Sequence, residues 1–321
     1  MSDANNASES ASDDSIVEIY TRARAILRVR LETLAVTKLE LYFNDTYITS
    51  ATGFIYRYAK TYALVTNWHV LTGINPDTGK NIDDRYASRP NRVKFYLNIF
   101  TDTIGQFDIK PFSADLLKDE QPIWFQLPQS NPPIDIALIE LESIIEDFDQ
   151  IKERIGHLQG GQMLVYMDEQ NAPKFAYHAY PRVGAEVFIL GFPKGISHGS
   201  FPIWKGGSIA TEPLHNVARR GATSGAPVIL VDAVTRDGMS GSPVLYFGSE
   251  VVGDFGPSTA ETGMSRVVGV YAGREGVTPE ENSMSLGRVW RVELLDALFS
   301  AERCRGGYDF ETPQSSAPLS S

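Results

Sequence analysis

Short apolar runs separated by turn residues dominate the chain from residue 38 onward. Leu39-Glu-Leu-Tyr-Phe43, Tyr47 to Tyr56, Tyr62 to Thr66, Val93 to Phe100, Ile123-Trp-Phe125 and Ile136 to Leu141 make up a first set. Runs of this length and spacing predict a barrel or sandwich of short strands. Residues 142–162 change character: apolar positions recur at helical spacing, which predicts a helical or irregular connector. A second strand-rich set follows in Glu186 to Gly191, Ile203 to Thr211, Pro227 to Val234, Pro243 to Phe247 and Val267 to Ala272. The stretch Val289 to Phe299 places Val292, Leu295, Leu298 and Phe299 on one face and predicts a closing amphipathic helix. The predicted divisions are 1–14 as a disordered tail, 15–145 and 183–302 as the two strand-rich halves, 146–182 as the connector and 303–321 as a second tail. Within the first half, 15–32 is expected to run from a short helix into a strand.

Composition narrows the function classes. The chain has 321 residues, 42% hydrophobic and 21% charged, ordinary for a soluble globular protein. Its net charge of −11 argues against a nucleic-acid partner. No apolar stretch approaches a membrane span, and no charged-then-apolar leader opens the chain, so neither a membrane partner nor secretion is expected. The single cysteine, Cys304, excludes an internal disulfide and fits a reducing, cytoplasmic setting. The insertion from Thr72 to Asn91 is acidic but lacks the Asp-x-Asp-x-Asp-Gly order of a calcium loop. It is read as a surface loop.

Candidate chemistry centres on Gly238-Met-Ser-Gly-Ser-Pro243, a tight turn between two apolar runs. The glycines let backbone approach a substrate closely, and the amides of Gly238 and Ser240 are candidate oxyanion donors. A serine nucleophile needs a base and a group that orients the base. His69 ends the apolar run Ala63-Leu-Val-Thr-Asn-Trp-His69, and Asp135 opens Asp135-Ile-Ala-Leu-Ile139. The order is His, Asp, Ser. An α/β-hydrolase elbow is excluded, because Ser242 stands where its second glycine belongs and no histidine follows Ser240. A second Ser-Gly-x-Pro at Ser224 lacks the glycine two residues earlier and is read as a loop decoy.

With these residues the chain resembles the chymotrypsin-like (trypsin-type) serine peptidases. It looks nearest the disulfide-free bacterial branch of glutamyl endopeptidases and the HtrA peptidase domain. The likeness is carried by Thr52-Gly-Phe54, Leu64 to Val70, Asp135 to Leu138, Gly191-Phe-Pro193, Gly238 to Pro243 and Val268 to Gly273. It implies two six-stranded antiparallel β-barrels with a C-terminal helix and a cleft between them. It also implies a serine endopeptidase acting on protein or peptide substrates through an acyl-enzyme, with no cofactor or metal. A binding module whose catalysis has lapsed is the alternative, and a regulatory partner is left open.

The resemblance further implies a primary substrate pocket built by Val234, by Tyr271, Ala272 and Gly273, and by the strand near Gly287. Val234 is not an acid, so preference for Lys or Arg is not expected. Arg274 or Arg288 could receive an acidic side chain, but a small apolar pocket is the reading taken over it. Zymogen-forming relatives pair a freed N-terminal amine with an aspartate just before the nucleophile. Met239 holds that position here and has no charge, so activation by cutting before Ile16 is not expected.

Overall fold

The computed structural model describes residues 29–82, 89–100, 106–128, 130, 133–153, 163–164, 167–168, 181–218, 225–247, 252–253, 256–257, 265–275, 285–300 and 303–308. The short helix α1 (Leu31–Leu34) leads directly into β1 (Val36–Phe43), β2 (Thr46–Tyr58) and β3 (Thr61–Thr66). Most of the segment expected to run from helix to strand, and the Ile16 terminus, lie outside the described residues. So does Ser224.

The one-turn helix α2 (Trp68–Thr72) follows β3, and then come β4 (Arg92–Phe100), β5 (Phe107–Asp115), β6 (Trp124–Gln126) and β7 (Ala137–Glu140). After the helix α3 (Phe148–Glu153) the second half opens with β8 (Glu186–Gly191), β9 (Ile203–Ile209) and β10 (Val228–Asp232). It continues through β11 (Pro243–Tyr246), β12 (Arg266–Arg274), β13 (Leu286–Arg291) and α4 (Glu293–Phe299), and β14 (Cys304–Arg305) comes last.

The second half closes into a six-stranded barrel in the order β8-β9-β10-β13-β12-β11. The first half differs from a closed six-stranded ring. It is a ten-stranded sheet with the central order β4-β1-β2-β3-β7-β6-β14, to which β5 adds at β4. Its extra strands come from the long β4–β5 hairpin, from two-residue strands at Met163–Leu164 and Met167–Asp168, and from the C-terminal segment. The predicted helix over Val289 to Phe299 is corrected: it is strand up to Arg291 and helix only over Glu293–Phe299. Within 303–321, expected as a tail, Cys304 and Arg305 pair with β6.

Three apolar clusters organise this arrangement. One fills the first sheet, with Leu39, Leu64, Trp68, Phe95 and Trp124. A second fills the closed barrel, with Val187, Val231, Val244, Tyr271 and Val289. The third joins the halves: Phe54, Tyr56, Val65 and Leu138 meet Leu190, Val228, Trp290 and Leu295 of α4. Long apolar burial of this kind is the main stabilising term in a chain without disulfides. It also fixes the relative position of His69, Asp135 and Ser240, which come from different halves.

Candidate active site

Strand register brings the first pair together. Thr66, at the end of β3, lies opposite Ala137, at the start of β7. His69 is three residues beyond the first of these, and Asp135 is two residues before the second. The turn into α2 puts His69 over Asp135, whose carboxylate accepts from the His69 backbone N–H at 2.9 Å and meets Nδ1 at 2.7 Å. Asp135 is 1% exposed and the His69 side chain 14%. Asn67 does not cap the helix with its side chain; its Nδ2 donates to the Asp135 carbonyl at 2.7 Å. His69 thus meets both carboxylate oxygens, and Asn67 holds the backbone of the same aspartate. With Nδ1 donating to it, a neutral imidazole presents Nε2 as a proton acceptor.

The Ser240 turn is built from the second half but fastened to the first. Thr52 of β2 supplies most of the fastening. Its N–H donates to the Ser240 carbonyl at 2.9 Å, its hydroxyl donates to the Gly238 carbonyl at 2.8 Å, and that hydroxyl accepts from the Phe192 N–H at 3.1 Å. Its own carbonyl accepts from the Thr66 hydroxyl at 2.8 Å, three residues before His69. Gly241 (φ +85°) lies so close to the Thr52 carbonyl that a Cβ has no room there. On the other side the Gly241 N–H donates to the Tyr271 carbonyl at 2.9 Å and the Tyr271 N–H donates to the Ser242 carbonyl at 2.8 Å. Met239 is fully buried in the second barrel. The turn is therefore packed and bonded in place without a charged residue before the serine.

Two amides of the turn are left over. The Asp237 carbonyl accepts from the Lys194 N–H at 2.6 Å, so the trans peptide sends the Gly238 N–H the opposite way. Gly238 has φ +91°, a conformation that favours glycine. The Met239 carbonyl accepts from the Ser242 N–H at 3.1 Å, which turns the Ser240 N–H away from Ser242. Neither the Gly238 nor the Ser240 amide donates to any described residue, while those of Met239, Gly241 and Ser242 all do. Two unused donors, one on each side of Met239, beside a serine hydroxyl can take a developing negative charge on a substrate oxygen. Ser240 Oγ itself makes no hydrogen bond to a described residue; in substrate-free sites such bonds commonly form only when substrate binds.

The pocket candidates fall in three places. Val234 is 48% exposed and its buried neighbour Thr235 is the one that faces inward, with its hydroxyl on the Tyr271 hydroxyl. Tyr271 is buried, while Ala272 and Gly273 are half-buried. Arg288 does not wait for an acidic substrate. Its side chain is 5% exposed, with Nε on Glu275 at 2.8 Å and Nη2 on Asp77 at 2.9 Å. Asp77 belongs to the insertion read as a surface loop, and no sequence signal pairs it with a strand more than two hundred residues away. Thr52 also went unread as a site residue. Its place in the Thr-Gly-Phe motif was the available signal.

Residues 51–253 match the family model of the trypsin-like peptidase domain. No curated protein sequence matches the chain. Among solved structures it is similar to the active form of the Rv3671c protease from M. tuberculosis, with 16% identity, 85% of this chain and 84% of that one covered, and a TM-score of 0.40. It is also similar to the MamO protease domain from Magnetospirillum magneticum, with 14% identity, 84% and 98% covered, and a TM-score of 0.43. A third is the serine endoprotease from Yersinia pestis, with 13% identity, 86% and 64% covered, and a TM-score of 0.40.

Proposed function

Because this chain belongs to the trypsin-like peptidase domain family, we propose that it is a serine endopeptidase using Ser240, His69 and Asp135. The observation that carries the reading is the double grip of buried Asp135 on His69, through backbone N–H and Nδ1 together. That grip fixes both the ring and its tautomer, which a base needs and a merely structural histidine does not.

In the proposed reaction Ser240 Oγ attacks the peptide carbonyl carbon and its proton passes to His69 Nε2. The carbonyl oxygen becomes an anion facing the amides of Gly238 and Ser240. His69 then gives the proton to the leaving amine, and the C–N bond breaks to leave an ester on Ser240. Water attacks that ester with His69 again as base, releasing the acid and the free serine. The Asp135 carboxylate keeps its hold on Nδ1 and steadies the transient imidazolium.

Labelling with a fluorophosphonate and hydrolysis of an unfolded protein substrate test this directly. Wild type should react at Ser240, and Ser240→Ala should lose labelling and on the order of 10⁴ or more in rate with the fold unchanged. A wild type that neither labels nor hydrolyses would turn the reading over to the lapsed binding module.

A further inference from the structure

From a backbone position beside the Ser240 turn, Tyr271 sends a buried ring into the second barrel. Its backbone is bonded on both sides to the Ser240 turn, through Gly241 and Ser242. From there the ring runs inward, only 1% exposed, to the hydroxyl of Thr235, five residues before Ser240. Gly287 on β13 lies against the ring; a Cβ there would lie 2.6 Å from Cε2 of Tyr271. Val231 closes the same side. The ring thus bridges the segment before the serine, strand β12 and strand β13, the three segments that surround the primary pocket in the family this chain resembles. Burial pushes the Tyr271 phenol up to about 12, so it stays a neutral filler. Of the charged residues that act on the ring, Arg288 is paired with Asp77 and Glu275, while Arg274 and Asp237 are exposed.

We propose that Tyr271, anchored by Thr235 and admitted by Gly287, plugs the primary pocket, and that the substrates are bonds following glycine, alanine or serine. This rests on the peptidase reading above. A buried aromatic ring leaves room for a methyl or hydroxymethyl group beside the nucleophile, and larger side chains meet a packed wall rather than a pocket.

The test is cleavage of a mixed peptide library, read by mass spectrometry, with fluorophosphonate labelling of each variant in parallel. Wild type should cleave after Gly, Ala or Ser about 100-fold better than after Phe, Leu, Lys, Arg or Glu. Tyr271→Ala should still label and should gain cleavage after Leu and Phe by about tenfold or more, while Tyr271→Phe should keep the small-residue preference. Wild type cleaving equally well after large residues overturns the plug, and so does an unchanged profile in a folded, labelled Tyr271→Ala. If Tyr271→Ala does not fold, the wild-type profile decides alone. A wild type that neither labels nor cleaves fails at the peptidase reading itself, and the plug falls with it.

Discussion

Thr52 connects more of the site than any residue legible from the sequence. The triad candidates were readable because their chemistry is written in residue type and order: a serine between glycines, and a histidine and an aspartate at strand ends. Thr52 is a small polar residue in a weak motif, and its importance comes only from the geometry that places it under Gly238 and Ser240. The same holds for Tyr271, whose position was legible but whose inward direction was not. Thr52→Val keeps the shape and the backbone bond to Ser240 but removes the hydroxyl shared by Gly238 and Phe192. The expected result is a fall in kcat/KM of about 10–100-fold, chiefly in kcat, because the oxyanion turn loses its register. Thr52→Ser should recover most of it. Steady-state kinetics check this; a loss confined to KM would contradict a positioning role.

At the scale of elements, alternation and run length located most strands but missed those with unusual environments. Strand β5 escaped because Phe-Asp-Ile-Lys-Pro-Phe-Ser-Ala-Asp is mostly exposed and carries Pro111, which an edge strand tolerates. Only the end of strand β13, from Val289, reads as helix, because Val289 faces the barrel interior and Trp290 the interface between halves, so apolar residues are adjacent and no period of two survives. Composition places 303–321 in a tail, yet Gly307 and Tyr308 make tertiary contacts. Trp68, next to His69, donates Nε1 to the Gly307 carbonyl at 3.0 Å, and the Gly307 N–H donates to Gln126 at 2.9 Å. Tyr308 stands edge-on to the buried Trp124. Ending the chain at Arg303 exposes on the order of 100 Å² of this apolar surface, so unfolding in urea should show a loss of about 2–3 kcal/mol. Activity should fall about tenfold as Trp68 loosens beside His69. A chain shortened only from residue 309 should behave as the full one.

On the scale of the whole molecule, the site exists only while its two halves hold register, and beyond the Thr52 hydrogen bonds two further kinds of contact maintain it. The apolar interface cluster is broad and tolerant, as such packing usually is. The Asp77–Arg288–Glu275 group is local and charged, and it ties the loop after α2 to β13 and the end of β12. Its guanidinium is nearly buried, while the two carboxylates keep about a fifth of their surface exposed. Removing the cation leaves two acids facing each other, so the cost should approach that of breaking a buried pair, discounted for this exposure. Arg288→Met is expected to lose about 2–4 kcal/mol in urea unfolding. Asp77→Asn should lose less, about 1 kcal/mol, because Glu275 still neutralises the arginine. Combining the two changes should cost less than their sum, since the acid relieved by the first is one of those stranded by the second. Strict additivity in that cycle would mean that Asp77 and Arg288 do not act together, leaving the apolar interface and the Thr52 hydrogen bonds to keep the halves in register.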